Sequence, residues 1–195
     1  MVRIVSEDPP KNENMWFRTL FGFAIALIAG VILLHDLVVL EAQRIAVVKS
    51  DANEIVTALD AYKTEYGKYP GLDRQTAFSN AESNAFLMQI LRGHDKVRNP
   101  RGFMFCDPRK FDPSRHFKFT SAGGYDPKSG VFFDPWGNPY CIAVDSGSGQ
   151  IASPYSDESP ITTGIIVWSL GKDGKQGSPA NPHTSKGSDD VTSWQ

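Results

Sequence analysis

The sequence predicts an α+β chain, with one long N-terminal helix followed by a turn-rich region of short strands. Three observations carry this reading. No proline lies between Pro10 and Pro70, and the intervening residues run first apolar and then amphipathic. The 13 prolines and 17 glycines fall mostly after Tyr69. Short runs of alternating apolar residues, bounded by Pro, Gly and Asp, punctuate what remains. The 195 residues suffice for one membrane anchor and a soluble part of roughly 130 residues, enough to bury a core.

Residues 1–15 are polar and contain Pro9-Pro10, which predicts a disordered tail on the cytoplasmic side. Residues 16–40 form the transmembrane half of the helix. Leu20 to Leu34 carries no charge, and Trp16 and Phe17 extend the apolar run past Arg18. About twenty apolar residues cross a hydrocarbon core. Trp16 and Arg18 mark one interface, His35 and Asp36 the other. The small residues Gly22, Ala26, Ala29 and Gly30 would let such helices approach closely in lipid. A cleaved secretory signal needs a small-residue site that His-Asp-Leu-Val-Val does not offer, so an uncleaved single-pass anchor is expected. Arg3, Lys11 and Arg18 precede the span, whereas the next cations are Arg44 and Lys49. That asymmetry puts the N-terminus in the cytoplasm and most of the chain outside.

Residues 41–67 form the amphipathic half. Ile45, Val48, Ala52, Ile55, Leu59, Tyr62 and Tyr66 recur three and four apart, on one face of a helix. Gly67 followed by Pro70 stops it, and Lys63 suits the negative end of the helix dipole. Residues 68–195 form the globular domain. A second helix is expected over Ala81–Leu91, with Ala85, Met88 and Leu91 on one face. Asn80 or Ser79 caps it and Gly93 ends it. Strands are expected at His116–Thr120, Tyr140–Val144 and Thr163–Ser169. The composition from Gly171 to Gln195, polar and glycine-rich, predicts disorder there.

Function classes narrow by charge and motif. From residue 45 onward 16 Lys+Arg face 17 Asp+Glu without a basic run, which argues against a nucleic-acid surface. Cys106 and Cys141 could pair in an oxidising compartment, or each could lie alone in the core. His35, His94, His116 and His183 have no metal-ligand spacing. No nucleophile elbow, phosphate-cradling glycine loop or zinc-protease helix is present, so no enzymatic activity is expected. An anchored hydrolase would rest on clustered aspartates and Trp136 alone.

Three segments resemble one family. Ala58-Leu-Asp-Ala-Tyr-Lys-Thr-Glu-Tyr-Gly-Lys-Tyr-Pro70 resembles the A-L-x-x-Y-x-x-x-x-G-x-Y-P end of the N-terminal helix in major pseudopilins of type II secretion systems. Asp134-Pro-Trp-Gly-Asn-Pro-Tyr140 is similar to their D-x-W-G-N-P-Y turn. Trp168-Ser-Leu-Gly-Lys-Asp-Gly174 and Ser188-Asp-Asp-Val-Thr-Ser-Trp194 resemble their S-x-G-x-D-G loop and D-x-D-I-x-x-W ending. The segments occur in the family's order and cover residues 16 to 195.

The resemblance implies a type IV pilin-like fold: the outer half of the long helix packs on a small antiparallel sheet, and a C-terminal loop binds metal. It implies a structural, non-enzymatic subunit of the bacterial inner membrane, with its domain in the periplasm. Its partners would be other copies or related pseudopilins, inner-membrane secretion proteins and lipid. It also implies calcium, with Leu170 giving a carbonyl, Asp173 a carboxylate, and Asp189, Asp190 and Val191 the rest. Calcium takes six to eight oxygens, and three carboxylates at the ends of a glycine-rich loop repel unless neutralised. On spacing alone they read more readily as solvated turn aspartates, and the resemblance reverses that preference. The family's cut after glycine would fall at Gly22-Phe23, but Leu27 stands where the mature chain carries glutamate. A membrane-tethered binding module that does not polymerise is therefore the second expectation.

Overall fold

The structure is a computed structural model and describes residues 15–71, 77–112, 123–178 and 180–194. The expected strand at His116–Thr120 and nearly all of the expected tail lie outside these. The chain divides into two compact units, Met1–Glu41 and Ala42–Gln195.

A single helix, α1, runs from Met15 to Tyr66. In the first unit its apolar side chains, Leu20 through Val38, are exposed, and by length and composition the helix could cross a membrane. The helix ends where the sequence places its stop. Gly67 adopts φ +74°, and its N–H donates to the Lys63 carbonyl at 2.7 Å, closing the last turn. Lys63 sits 4.3 Å over the Tyr69 ring, which ties that turn to the chain leaving it.

In the second unit α1 buries Val48, Ala52, Ile55, Ala58, Leu59 and Tyr62. Most of the expected stripe is thus core. The two ends are the exceptions: Ile45 is 38% exposed, and Tyr66 is only partly buried against the core. Asp51, polar and 4% exposed, shares the buried face.

Helix α2 spans Ala81–Leu91, the predicted bounds. Asn80 caps it: its side chain accepts the Ser83 N–H at 2.8 Å, and Ser83 Oγ accepts the Asn80 N–H at 3.2 Å. The buried face is broader than the predicted one and contains Ser83, Asn84, Leu87, Met88, Ile90 and Leu91. Asn84 bridges two chain segments. Its Nδ2 donates to the Tyr140 carbonyl at 2.8 Å, and its Oδ1 accepts the Phe132 N–H at 2.8 Å. Asn84→Ala orphans both buried backbone groups and is expected to cost about 2–5 kcal/mol in denaturant unfolding. Gln89→Ala, on the exposed face of the same helix, should change the midpoint little.

Among the described residues six short strands accompany the two helices. β1 (Ala77–Phe78), β4 (Cys141–Val144), β5 (Ile165–Ser169) and β6 (Val191–Thr192) form an antiparallel sheet in the order β1-β4-β5-β6. β2 (Gly124–Tyr125) and β3 (Phe132–Phe133) make a separate antiparallel pair. Cys141 faces Trp168 across β4–β5, and Ser169 faces Val191 across β5–β6. Period-two alternation divides β4 and β5 between two cores. Ile142, Val144, Ile165 and Val167 join α1 and α2, whereas Cys141, Ala143, Ile166 and Trp168 pack with Ile151, Ile161, Leu170 and Trp194. The sheet is therefore covered on both faces.

The disorder expected from composition after Gly171 is not what the structure has. Residues 171–178 and 180–194 form successive turns and the strand β6. Their contacts come from residues far upstream, which composition cannot register.

Candidate functional site

The Asp134–Tyr140 turn organises the start of the C-terminal loop. Asp134 is fully buried. Its Oδ1 accepts the N–H groups of Trp136 at 2.9 Å and Asn138 at 2.8 Å. Its Oδ2 accepts the Ser169 hydroxyl at 2.5 Å. Ser169 Oγ in turn accepts the Gly171 N–H at 3.1 Å, and Asn138 Nδ2 donates to the Gly171 carbonyl at 2.7 Å. Burial pushes the Asp134 carboxyl up, against the lowering pull of Ser169 and Asn138. Trp136 packs half-buried on the first core, the role of a turn tryptophan.

Gly171 sits at φ +62° and has no room for a side chain, since a Cβ would collide with the Asp189 backbone and carboxylate. Asp189 thus folds back over the loop entrance. Its Oδ2 accepts the N–H groups of Lys172 at 2.6 Å and Asp173 at 3.0 Å. Asp173 uses its own Oδ1 on the Lys175 N–H at 2.8 Å, an Asx turn. Asp190 points elsewhere, its Oδ2 accepting the Tyr155 hydroxyl at 2.8 Å and the Gly177 N–H at 2.7 Å. Burial raises the Asp190 pKa, opposed by those same bonds. Leu170 packs on the second core, and Val191 pairs with Ser169 in the sheet.

The five residues expected around calcium are thus neighbours, but their carboxylates do not form a ligand set. Among the described residues no three His, Cys, Asp or Glu side chains come together as a metal group. Asp190 Oδ1 is buried without a hydrogen-bond partner. It is the one buried side-chain oxygen among the described residues without a partner, whereas calcium takes six to eight oxygens, carbonyls included. As placed, the carboxylates turn to the loop's own N–H groups and to the Tyr155 hydroxyl.

A second polar cluster ties α1 to the second unit's loops. Asp51 Oδ1 meets Arg109 Nη1 at 2.6 Å, and Asp51 Oδ2 accepts the buried Tyr140 hydroxyl at 2.7 Å. Arg109 Nε continues to the Gly123 carbonyl at 3.0 Å. Burial raises the Asp51 pKa despite these partners. Nothing in the sequence pattern signals this cluster beyond an acid beside Ala52 on an otherwise apolar stripe.

Cys106 and Cys141 are free and buried, one in each core. They do not pair. Desolvation pushes the Cys141 thiol up to about 12 and the Cys106 thiol higher, with Glu54 adding to the latter, so both are held as inert thiols. A depression of 480 Å³ lies beside α2 and one of 390 Å³ beside the end of α1. The buried acids Asp51, Asp134 and Asp190 line neither.

The fold and these clusters define an α+β protein: a long N-terminal helix over a small antiparallel sheet, with an apolar segment fit to span a membrane. Comparison with models of known protein families, with curated proteins and with solved structures gives no match to this chain.

Proposed function

We propose that this chain is a non-enzymatic, membrane-anchored pseudopilin-like subunit that acts in protein secretion by assembling through α1. One observation carries the reading. A single helix changes character along its length, exposing an uncharged apolar run from Leu20 to Leu34 and then burying Val48, Ile55 and Leu59 in a small β domain. Such a chain is built to be held in lipid at one end while presenting a folded head at the other. The resemblance of residues 58–70, 134–140 and 168–194 to major pseudopilins supplies the secretion context. It places the head in the periplasm and the span in the inner membrane. The partners are further copies, related pseudopilins and inner-membrane secretion proteins.

Association runs through the face bearing Gly22, Ala26, Ala29 and Gly30, where small side chains permit close helix contact in lipid. The test is oxidative cross-linking in native membranes. Ala26→Cys is expected to give dimers or higher ladders, and Ile28→Cys, on the opposite face, is not. Monomers from both variants, with no secretion protein co-purifying, would overturn the proposal.

A second reading has its own observation. Gly22 and Phe23 lie inside α1, seven residues or more past its start at Met15, and Leu27 occupies the expected glutamate position. An uncleaved, non-polymerising tether that binds an envelope component fits those two facts. Mass spectrometry of the mature N-terminus separates the readings: a start at Phe23 belongs to a filament subunit, a start near Met1 to the tether.

A further inference from the structure

The C-terminal loop has more attachments than the acidic residues first singled out. Tyr155 and Glu158, on the segment between β4 and β5, reach across to it. Tyr155, fully buried, donates its hydroxyl to Asp190 and stands 6.4 Å from the Trp194 ring. Glu158 Oε1 accepts three donors from the loop's far side: the Ser185 N–H at 2.7 Å, the Ser185 hydroxyl at 2.6 Å and the Thr184 hydroxyl at 3.2 Å. Backbone bonds reinforce the same junction, with the Asp157 N–H donating to the His183 carbonyl at 3.0 Å. Gln176 Nε2 donates to the Pro154 carbonyl at 2.5 Å.

We propose that the C-terminal loop, described over residues 170–178 and 180–190, closes on the protein's own hydrogen bonds, with Tyr155 and Glu158 standing in the place that the resemblance gives to calcium. The loop therefore needs no divalent cation to fold. The physical reason lies in how each negative charge is spent. A divalent cation relieves clustered carboxylates by sharing its two positive charges among them. Here each carboxylate has its own N–H or O–H donors, with Asp190 Oδ1 alone buried and unpartnered among the described residues. Asp189 takes two backbone N–H groups at the loop entrance, Asp190 takes a phenol and a backbone N–H at its middle, and Glu158 takes an N–H and two hydroxyls beyond. Charge-assisted bonds of this kind are the strong class of hydrogen bond, and three such points pin the loop at both ends and the centre. The entrance is fixed independently by Asp134 through Ser169. The exit is fixed by β6, where Val191 pairs with Ser169.

This inference is independent of whether the chain assembles. It is tested on the full-length protein in detergent by hydrogen exchange of residues 171–190, in excess EGTA and in millimolar calcium chloride. Wild-type exchange and thermal midpoint are expected to be the same in both. Glu158→Gln and Tyr155→Phe are each expected to speed exchange in the loop by about tenfold in both buffers, because each removes a closing bond and no metal compensates. Stoichiometric calcium binding by calorimetry with a tenfold or greater slowing of loop exchange would overturn it. Wild-type loop protection in both variants would overturn it equally.

Discussion

Replacing Ile55 and Leu59 together by alanine is expected to lower the unfolding free energy of the second unit by about 4–8 kcal/mol. Both side chains are fully buried in the core that joins α1, α2 and one face of the sheet. Each truncation removes three side-chain carbons and leaves a cavity that packed neighbours fill only in part. The two lie one helical turn apart, so their effects couple and the sum falls short of simple addition. Small domains have only about 5–15 kcal/mol in hand, so the double variant stands at the edge of folding at all. Asn53→Ala and Thr57→Ala, exposed on the opposite side of the same turns, are expected to stay within about 0.5 kcal/mol of wild type. Urea unfolding followed by near-ultraviolet circular dichroism reads mainly the head, which carries Trp136, Trp168, Trp194 and all six tyrosines. Equal effects on both faces would mean that α1 does not contribute its stripe to the core.

Asp51→Ala is expected to cost about 2–4 kcal/mol at neutral pH. It strands the buried Tyr140 hydroxyl and removes the carboxylate bonded to Arg109 Nη1. Arg109 is about a third exposed and can turn to water, which holds the loss below that of a fully buried pair. Asp51→Asn keeps an acceptor for one of the two donors and should cost less. The two variants also separate charge from geometry through pH. Burial raises the Asp51 pKa above 3.8, outweighing the pull of Arg109 and Tyr140, so the folded state binds the proton more tightly than the unfolded chain. Between the two values the native state carries more protons, and stability from this group falls as pH rises through its raised folded pKa. Wild type should therefore gain on Asp51→Asn as the buffer is taken from neutral toward pH 3.8. A difference that shrinks in acid would mean that the ion pair with Arg109, rather than desolvation, governs the group.

The sequence by itself determined the elements whose signals are local. The spacing from Val48 to Tyr62, the Gly67 stop and the Asn80 cap all act within a turn or two of chain, so α1 and α2 could be bounded without knowing the fold. β4 and β5 were legible for the same reason, being apolar runs between turn residues. The two-residue strands β1, β2, β3 and β6 were not, because so short a segment has no period to detect. Tertiary structure alone decided the rest. Asp51 finds Arg109 and Tyr140, 58 and 89 positions away. The cysteines fall on opposite faces of the sheet because register sends Cys141 away from the helices. The glycine-rich tail is ordered because Asp134, Tyr155 and Glu158 supply partners that its own composition lacks. Short-range propensity is written in neighbouring residues, but where a buried charge finds its partner depends on which distant segments the sheet brings side by side.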